Sequence, residues 1–469
     1  MTERFDLIVI GSGPAGEKAA AQAAYFGKRV ALIEKSSFVG GAAVGSAGVP
    51  TKTLREAASY LTGFRRRDVY GVAPDLAPRE IVEHLRTRAV EVFGTMTKSV
   101  QANLEHHGIE LIHGFASLGP SKRVEVRVKD ASTTRVLDST AMIIATGSHP
   151  RHPPDIPFDD DDVMDSQEVF EIQEPFGDLV VIGGSTIGCE FASIFAAAGA
   201  EVTLIDRSDR LLKMLDEEVS HLLTDSFRKI GMRVILGGGV RPVVTRGEGG
   251  VEVRLGSGET LRPDKVFYSA GRNGNTEGLG LEEAGVALDA KGRIVVDESY
   301  QTTAEGVYAA GDVIGPPSLA STSMEQGRVA ACHAFDIPFK YAVDPVAPIG
   351  VYSIPEVAMV GMSEQAAAEQ GIDFGVGRGW FARNTKAVIG GQTEGLVKLV
   401  FDRNSRRLLG VHILSEAASE LVHLGQSVIQ FGGTIDHFID STYNIPTLTD
   451  AYKYAAYDGL GLLRSAHPR

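Results

Sequence analysis

The chain predicts an α/β fold: two Rossmann-like dinucleotide-binding domains followed by a C-terminal α+β domain. Three observations carry that expectation. A glycine-rich turn stands between a short apolar strand and a small-residue helix near the N-terminus. The same layout returns at Gly183, 172 positions after Gly11. Beyond about residue 346 the texture changes to alternating strands with two helical stretches.

Asp6–Ile10 is a β-branched apolar run, as a strand buried on both faces requires. It leads into Gly11-Ser12-Gly13-Pro14-Ala15-Gly16, an Ala-rich helical stretch from Glu17 to Phe26, and a second strand, Arg29 to Ile33, ending at Glu34. Glycines at 11, 13 and 16 allow the tight turn, the close approach of backbone to a pyrophosphate, and the packing of helix on strand. In the second copy the strand is Leu179–Ile182, the turn Gly183–Gly188, the helix Cys189–Ala198, and the next strand Glu201–Ile205, closing at Asp206. First glycine and strand-end acid are 23 positions apart in both copies (11 to 34, 183 to 206). One such fingerprint is weak evidence; two in matched context are strong. Ser185 replaces the middle glycine of the second copy, which sets a pyrophosphate slightly farther away.

Between the copies, the prolines of Ser148–Pro157 and the acidic run Asp159–Asp162 read as an irregular linker. The second domain is inserted into the first, which resumes near Ala270-Gly271-Arg272 and runs through Gly311-Asp312. The expected boundaries are 1–149 with 271–345, 150–270, and 346–469. Helices are expected over Ser415–Phe431 and Thr449–Leu460.

A formal charge of −14 over 469 residues argues against nucleic acid or an anionic membrane as partner. No apolar run approaches bilayer length, and the start of the chain leaves no room for a signal peptide. The expected compartment is the cytoplasm. Two distant cysteines, Cys189 and Cys332, exclude a disulfide framework and read as packing residues. No metal site is expected: His106-His107 reads as a helix end near the surface, and His423 and His437 lack ligand spacing.

Taken together with Gly40-Gly41, Pro50-Thr51-Lys52, Ala145-Thr146-Gly147, Gly271-Arg272, Gly311-Asp312 and Pro446–Asp450, these elements resemble the two-dinucleotide flavoprotein disulfide reductases along essentially the whole chain. The resemblance implies FAD in the first domain, NAD(H) or NADP(H) in the second, and a homodimer formed by the third, a dimerisation domain. It implies FAD contacts from Gly11, Gly13, Gly16, Glu34, Lys35, Gly41, Lys52, Thr146, Gly147, Asp312 and Ala320, and NAD(P) contacts from Gly183, Ser185, Gly188, Glu190, Asp206, Arg207, Lys213 and Gly271. Lys52 and Glu190 match the ion pair beside flavin N5; the alternative is two unrelated surface charges. A helix beginning near Ser321 is expected to point its N-terminus at the flavin. Asp206 suits the 2′-hydroxyl of NAD(H), whereas Arg207 and Lys213 stand where NADP-dependent relatives bind the 2′-phosphate; the alternative is that both are solvated surface charges. Thr186 stands where relatives often carry a tyrosine lid.

Two departures bear on chemistry. The positions of the family's Cys-x4-Cys pair hold Ala43 and Gly48, and its histidine acid/base is replaced by Ile445, with Asp450 in place of the glutamate. Thiol–disulfide exchange needs a thiolate and a base; hydride exchange between nicotinamide and flavin needs neither. Gly188–Phe195, Val313–Ala320 and Tyr443–Thr447 resemble the soluble, FAD-containing pyridine nucleotide transhydrogenases of the same family. That subgroup implies hydride transfer between NADPH/NADP+ and NADH/NAD+. Two other readings are weighed: an NAD(P)H:quinone or dye oxidoreductase, and a non-enzymatic flavin-bound sensor.

Overall fold

The computed structural model describes residues 2–466 apart from 63–68, 70, 72–75, 130, 132, 159–161, 173, 238–240 and 248. Three aspartates of the expected acidic linker, 159–161, lie outside the described residues. The chain folds as two compact units. One comprises Met1–Thr53, Thr87–Arg151 and Gly271–Asp344; the other comprises Leu54–Arg86, His152–Ala270 and Pro345–Arg469.

The chain opens with β1 (Glu3–Ile10), α1 (Pro14–Tyr25) and β2 (Val30–Glu34), followed by α2 (Val49–Leu61) and α3 (Pro78–His106). β1 and β2 run parallel, with Leu7 opposite Val30 and Ile10 opposite Ile33. Every residue of β2 is buried, which accounts for its unbroken apolar run. β3 (Glu110–Leu118), β4 (Arg123–Val128) and β5 (Thr134–Ile144) come next. The long strands each do two jobs. β3 pairs parallel with β2 from Glu110 to His113 and β5 pairs parallel with β1, while their other halves pair antiparallel with β4. The prolines after Ser148 do not exclude regular structure as expected: β6 (Ser148–Pro150) pairs antiparallel with Arg272–Gly274. Pro150 ends a two-stranded ribbon, where its missing donor costs little.

In the second unit, β7 (Val163–Met164), β8 (Asp178–Ile182), α4 (Thr186–Ala198), β9 (Glu201–Asp206), α5 (Glu217–Lys229) and β10 (Arg233–Leu236) precede a small antiparallel meander of β11 (Val243–Gly247), β12 (Gly250–Arg254) and β13 (Thr260–Leu261). β14 (Lys265–Tyr268) then completes a parallel sheet ordered β10-β9-β8-β14-β7. Val180, Ile182, Ile205 and Val266 form the centre of its core.

Returning to the first unit, β15 (Arg272–Gly274) and β16 (Val307–Ala309) lead to α6 (Ala320–Ala334). α6 lies directly on α1, because Gly327 has no side chain: a Cβ there would fall 2.1 Å from the Ala15 carbonyl oxygen.

The remainder of the second unit is an antiparallel sheet of β17 (Ile349–Val351), β18 (Glu356–Gly361), β19 (Phe374–Trp380), β20 (Leu396–Asp402) and β21 (Leu408–Ser415), ordered 17-18-21-20-19, with α7 (Ala418–Gln430) and α8 (Ala451–Ala466). The first expected helix begins three residues late, because Ser415 is the last rung of β21, opposite Glu356. The terminal helix begins at Ala451, after a turn at Leu448–Asp450. Of the histidines set aside above, His106 ends α3 and is exposed.

A buried charge cluster ties the five-stranded antiparallel sheet of this unit to the start of α5. Lys398 of β20 has no exposed side-chain surface and lies 2.7 Å from Asp216, 2.8 Å from Glu218 and 3.2 Å from Glu364. Arg378 of β19 donates to Glu218 at 2.7 Å, and Asp216 caps α5 through the Glu218 N–H at 3.1 Å. Burial alone would raise both carboxyls. The charges of His412, Lys398 and Arg378 outweigh it and hold Asp216 and Glu218 below the usual carboxylate range. Because these folded-state values are depressed, the stability they contribute is present above about pH 4.5 and is lost as the pH falls through the lowered values. Lys398→Met strands Asp216 without its closest counter-charge and is expected to cost ~3–5 kcal/mol in urea unfolding. An unchanged midpoint would show that the cluster holds nothing.

Candidate nucleotide sites

In the first unit the glycine turn is fixed by the acid at the end of β2. One oxygen of Glu34 accepts the Ser12 N–H at 2.9 Å and the Ser12 hydroxyl at 2.6 Å; the other accepts the Ser36 N–H at 2.8 Å. The Ser12 hydroxyl in turn accepts the Gly40 N–H at 3.1 Å. This draws the second glycine pair over the first turn, and a Cβ on Gly41 would sit 2.7 Å from the Gly13 Cα. Gly11 has φ +101°, and Gly16 admits no Cβ, which would meet the Gly11 carbonyl oxygen at 1.9 Å. α1 begins at Pro14 with no side-chain cap, so the N–H groups of its first turn face the glycine turn unclaimed by any capping side chain.

Thr146 exchanges two hydrogen bonds of 2.7 Å with Asn275, whose N–H also donates to the Gly147 carbonyl. Asp312 accepts the Ser148 hydroxyl at 2.8 Å, which itself accepts from Arg272. Ala320 is the first residue of α6, again without a side-chain cap. Lys35 is exposed. Gly271 has φ +123°, and its carbonyl accepts the Arg151 N–H. Sequence reasoning missed Ser12, Asn275 and Ser148. Ser12 was readable as the residue one past the first glycine; the roles of the other two exist only once distant segments meet.

The second unit repeats the device. Asp206 accepts the Gly184 N–H at 2.5 Å with one oxygen and the Ser208 N–H at 2.7 Å with the other. Gly184 is the counterpart of Ser12. Gly183 has φ +115°, and a Cβ on Gly188 would lie 1.7 Å from the Gly183 carbonyl oxygen. Ser185 is the N-cap of α4, but its hydroxyl caps nothing, and Thr186 opens the helix. Buried Ser269, absent from the expected set, donates towards the Ile182 and Gly183 carbonyls.

Residues 5–327 match the family model described as pyridine nucleotide-disulphide oxidoreductase, and residues 347–456 match its dimerisation domain. The chain belongs to that family. Soluble pyridine nucleotide transhydrogenases from Mycobacterium tuberculosis and Photorhabdus laumondii are 38% and 37% identical to it, each over 98% of this chain and 98–99% of their own. Among solved structures, LpdA of Mycobacterium tuberculosis superposes with a TM-score of 0.87 at 26% identity, covering 97% of this chain and 99% of its own. The HOCl-induced flavoprotein disulfide reductase RclA of Escherichia coli gives 0.85 at 27%, covering 96% and 99%.

As a pyridine nucleotide-disulphide oxidoreductase, the protein is an FAD-dependent enzyme acting with pyridine nucleotides. Its own residues fit the flavin nucleotide. The first turn of α6 carries Thr322, whose buried hydroxyl finds no partner among the described residues, and the close approach of Gly13 and Gly41 leaves backbone without side chains at the first turn.

Ala43 and Gly48 lie together: a Cβ on Gly48 would fall 2.4 Å from the Ala43 carbonyl oxygen. Neither carries sulfur. Cys189 and Cys332 are free and buried, and burial, reinforced by Asp206 and Glu190, pushes the Cys189 thiol well up, away from a reactive thiolate. Ile445 is exposed. Lys52 sits in the first turn of α2 and donates to the Thr51 hydroxyl at 3.1 Å. Glu190 is buried in α4, and its carboxylate accepts the Tyr352 N–H at 2.9 Å. Arg207 and Lys213 are exposed. One group, His152, Asp165 and Glu168, brings ligand-type atoms within 4.8 Å of one another. His152 Nε2 lies 2.6 Å from Asp165 Oδ2, and the Glu168 carboxylate accepts the Asp165 backbone N–H at 2.7 Å. No helix among the described residues is long and apolar enough to cross a membrane.

Gly16→Ala is expected to push α1 off its turn and yield protein largely without flavin, read from the ratio of visible to ultraviolet absorbance. Stoichiometric flavin in that variant would mean that the turn is not the pyrophosphate cradle.

Proposed function

We propose that the protein is a soluble pyridine nucleotide transhydrogenase, catalysing NADPH + NAD+ to NADP+ + NADH and the reverse. The observation that carries this reading is the pair of acid-locked glycine turns combined with the absence of sulfur at positions 43 and 48. Near-full-length relatives named for that activity support it. The reading assigns 1–149 with 271–345 to FAD, 150–270 to NAD(P), and 346–469 to a homodimer interface, in a cytoplasmic enzyme.

Bound FAD supplies the two-electron hydride exchange with nicotinamide. The chain's own contribution is positional and electrostatic. The first turn, with Gly11, Gly13, Gly16, Glu34, Lys35 and Gly41, holds the flavin's ADP moiety, while Thr146, Gly147, Asp312 and Ala320 hold the rest. Lys52 would offer a cation to the bound ring; the Tyr352 N–H keeps the Glu190 carboxylate turned. The uncapped start of α6 supplies partial positive charge where negative charge grows on reduction. Gly183, Ser185, Gly188 and Gly271 hold each nucleotide in turn, while Asp206 suits the 2′-hydroxyl of NAD(H) and Arg207 and Lys213 meet the 2′-phosphate of NADP(H), so that two nicotinamides use one site successively. No side chain has to move a proton, which accords with Ile445 at the histidine position.

Steady-state rates with NADPH and thio-NAD+ are expected to give parallel double-reciprocal lines, the mark of alternating binding at one site. A rate no faster than free FAD, or faster reduction of lipoamide or glutathione disulfide, would overturn the assignment.

A further inference from the structure

The segment from Arg207 to Asp216 is held far more tightly than its exposed charges suggest. Leu212 adopts a left-handed φ of +49°, is buried, and donates its N–H to the Gly184 carbonyl at 3.1 Å. That bond lays the segment over the second glycine turn: a Cβ on Gly184 would lie 2.6 Å from Leu211 Cδ2. The Ser220 hydroxyl donates to the Leu211 carbonyl at 2.5 Å, and the Gly237 N–H to that of Ser208 at 2.6 Å. Arg210 turns inward and donates to the carbonyls of Leu215 at 2.9 Å and Lys213 at 3.2 Å. Its guanidinium is therefore occupied in shaping the loop.

What this rigid backbone presents at its outer edge is a pair of movable side chains. Lys213 Nζ lies 3.1 Å from Asp209 Oδ1, with both side chains largely exposed. Lys213 is one residue from the N–H that grips the glycine turn, so its backbone lies at the rim of that turn. Asp206, whose two oxygens already accept the Gly184 and Ser208 N–H groups, stays fixed at the strand end beside it.

We propose that Asp209 is a resident anion for Lys213, engaging it when NAD(H) is bound and yielding it to the 2′-phosphate when NADP(H) is bound. This specificity role rests on the transhydrogenase reading, in which one site must take both nucleotides. A neutral 2′-hydroxyl cannot compete with a carboxylate for an ammonium. A ribose 2′-phosphate, carrying roughly 1.5–2 negative charges near pH 7, can. The exchange is inexpensive because an exposed ion pair contributes little. The site thus avoids an unmatched cation with one nucleotide and an unmatched phosphate with the other.

The test is calorimetric titration of the FAD-loaded enzyme with 2′,5′-ADP and with 5′-ADP, which need no turnover. Asp209→Asn is expected to tighten 2′,5′-ADP by about 2–5-fold and leave 5′-ADP unchanged. Lys213→Met should weaken 2′,5′-ADP by about tenfold, again sparing 5′-ADP. In the Lys213→Met background, Asp209→Asn should have no further effect. Equal shifts for both probes, no shift for either, or an Asp209→Asn effect that survives without Lys213 would each overturn the proposal. Loss of NADPH-to-NAD+ turnover with these binding differences intact would count against the transhydrogenase reading alone.

Discussion

In both nucleotide folds of this chain, a carboxylate at the end of the second strand is bonded to the glycine turn at the end of the first. Glu34 holds the Ser12 N–H and hydroxyl, and Asp206 holds the Gly184 N–H. A glycine-rich turn is entropically costly to order and has few side chains of its own to anchor it. A buried or half-buried anion accepting backbone N–H groups supplies that anchor at one point. Once the turn is set, the missing side chains at Gly16 and Gly188 let each helix start within contact of a carbonyl oxygen. The N–H groups of the first helical turn then converge on a place suited to a pyrophosphate. The strand-end acid, usually read as a ribose ligand, is in this molecule first a structural clamp.

A second constraint operates within the unit that carries the second turn. Lys398 is a fully buried cation surrounded by carboxylates from α5, from its N-cap and from Glu364. Such a cluster is weak as a source of net stability but strict about geometry, because any shift leaves a charge unpaired in a low-dielectric interior. Asp216 belongs both to this cluster and to the cap of α5, directly after the loop that carries Arg207, Asp209 and Lys213. The loop's backbone is therefore fixed from behind by buried charge and from in front by Leu212, while its outer side chains remain adaptable. The Tyr352 N–H that holds Glu190 comes from the same antiparallel region.

The chemistry is shaped as much by what these positions lack. Positions 43 and 48 remain side by side, with a backbone approach that a second side chain would obstruct. Cys189, the thiol nearest a nucleotide turn, is buried, with a depressed tendency to ionise.

Much of this was legible in the sequence because it rests on local rules. Strand–turn–helix–strand units follow from apolar runs and glycine spacing, and the acids at Glu34 and Asp206 stand out by their equal distance from those glycines. Ala43, Gly48 and Ile445 are read directly from the sequence as residues without sulfur or imidazole. Tertiary structure alone decided the partners. Asn275 meets Thr146 across 129 positions, and Lys398 meets Asp216 across 182. The start of β6 is ordered only because Arg272–Gly274 returns to pair with it. Hydrogen bonds and ion pairs between remote segments depend on how the chain closes, and no periodicity in the sequence encodes that.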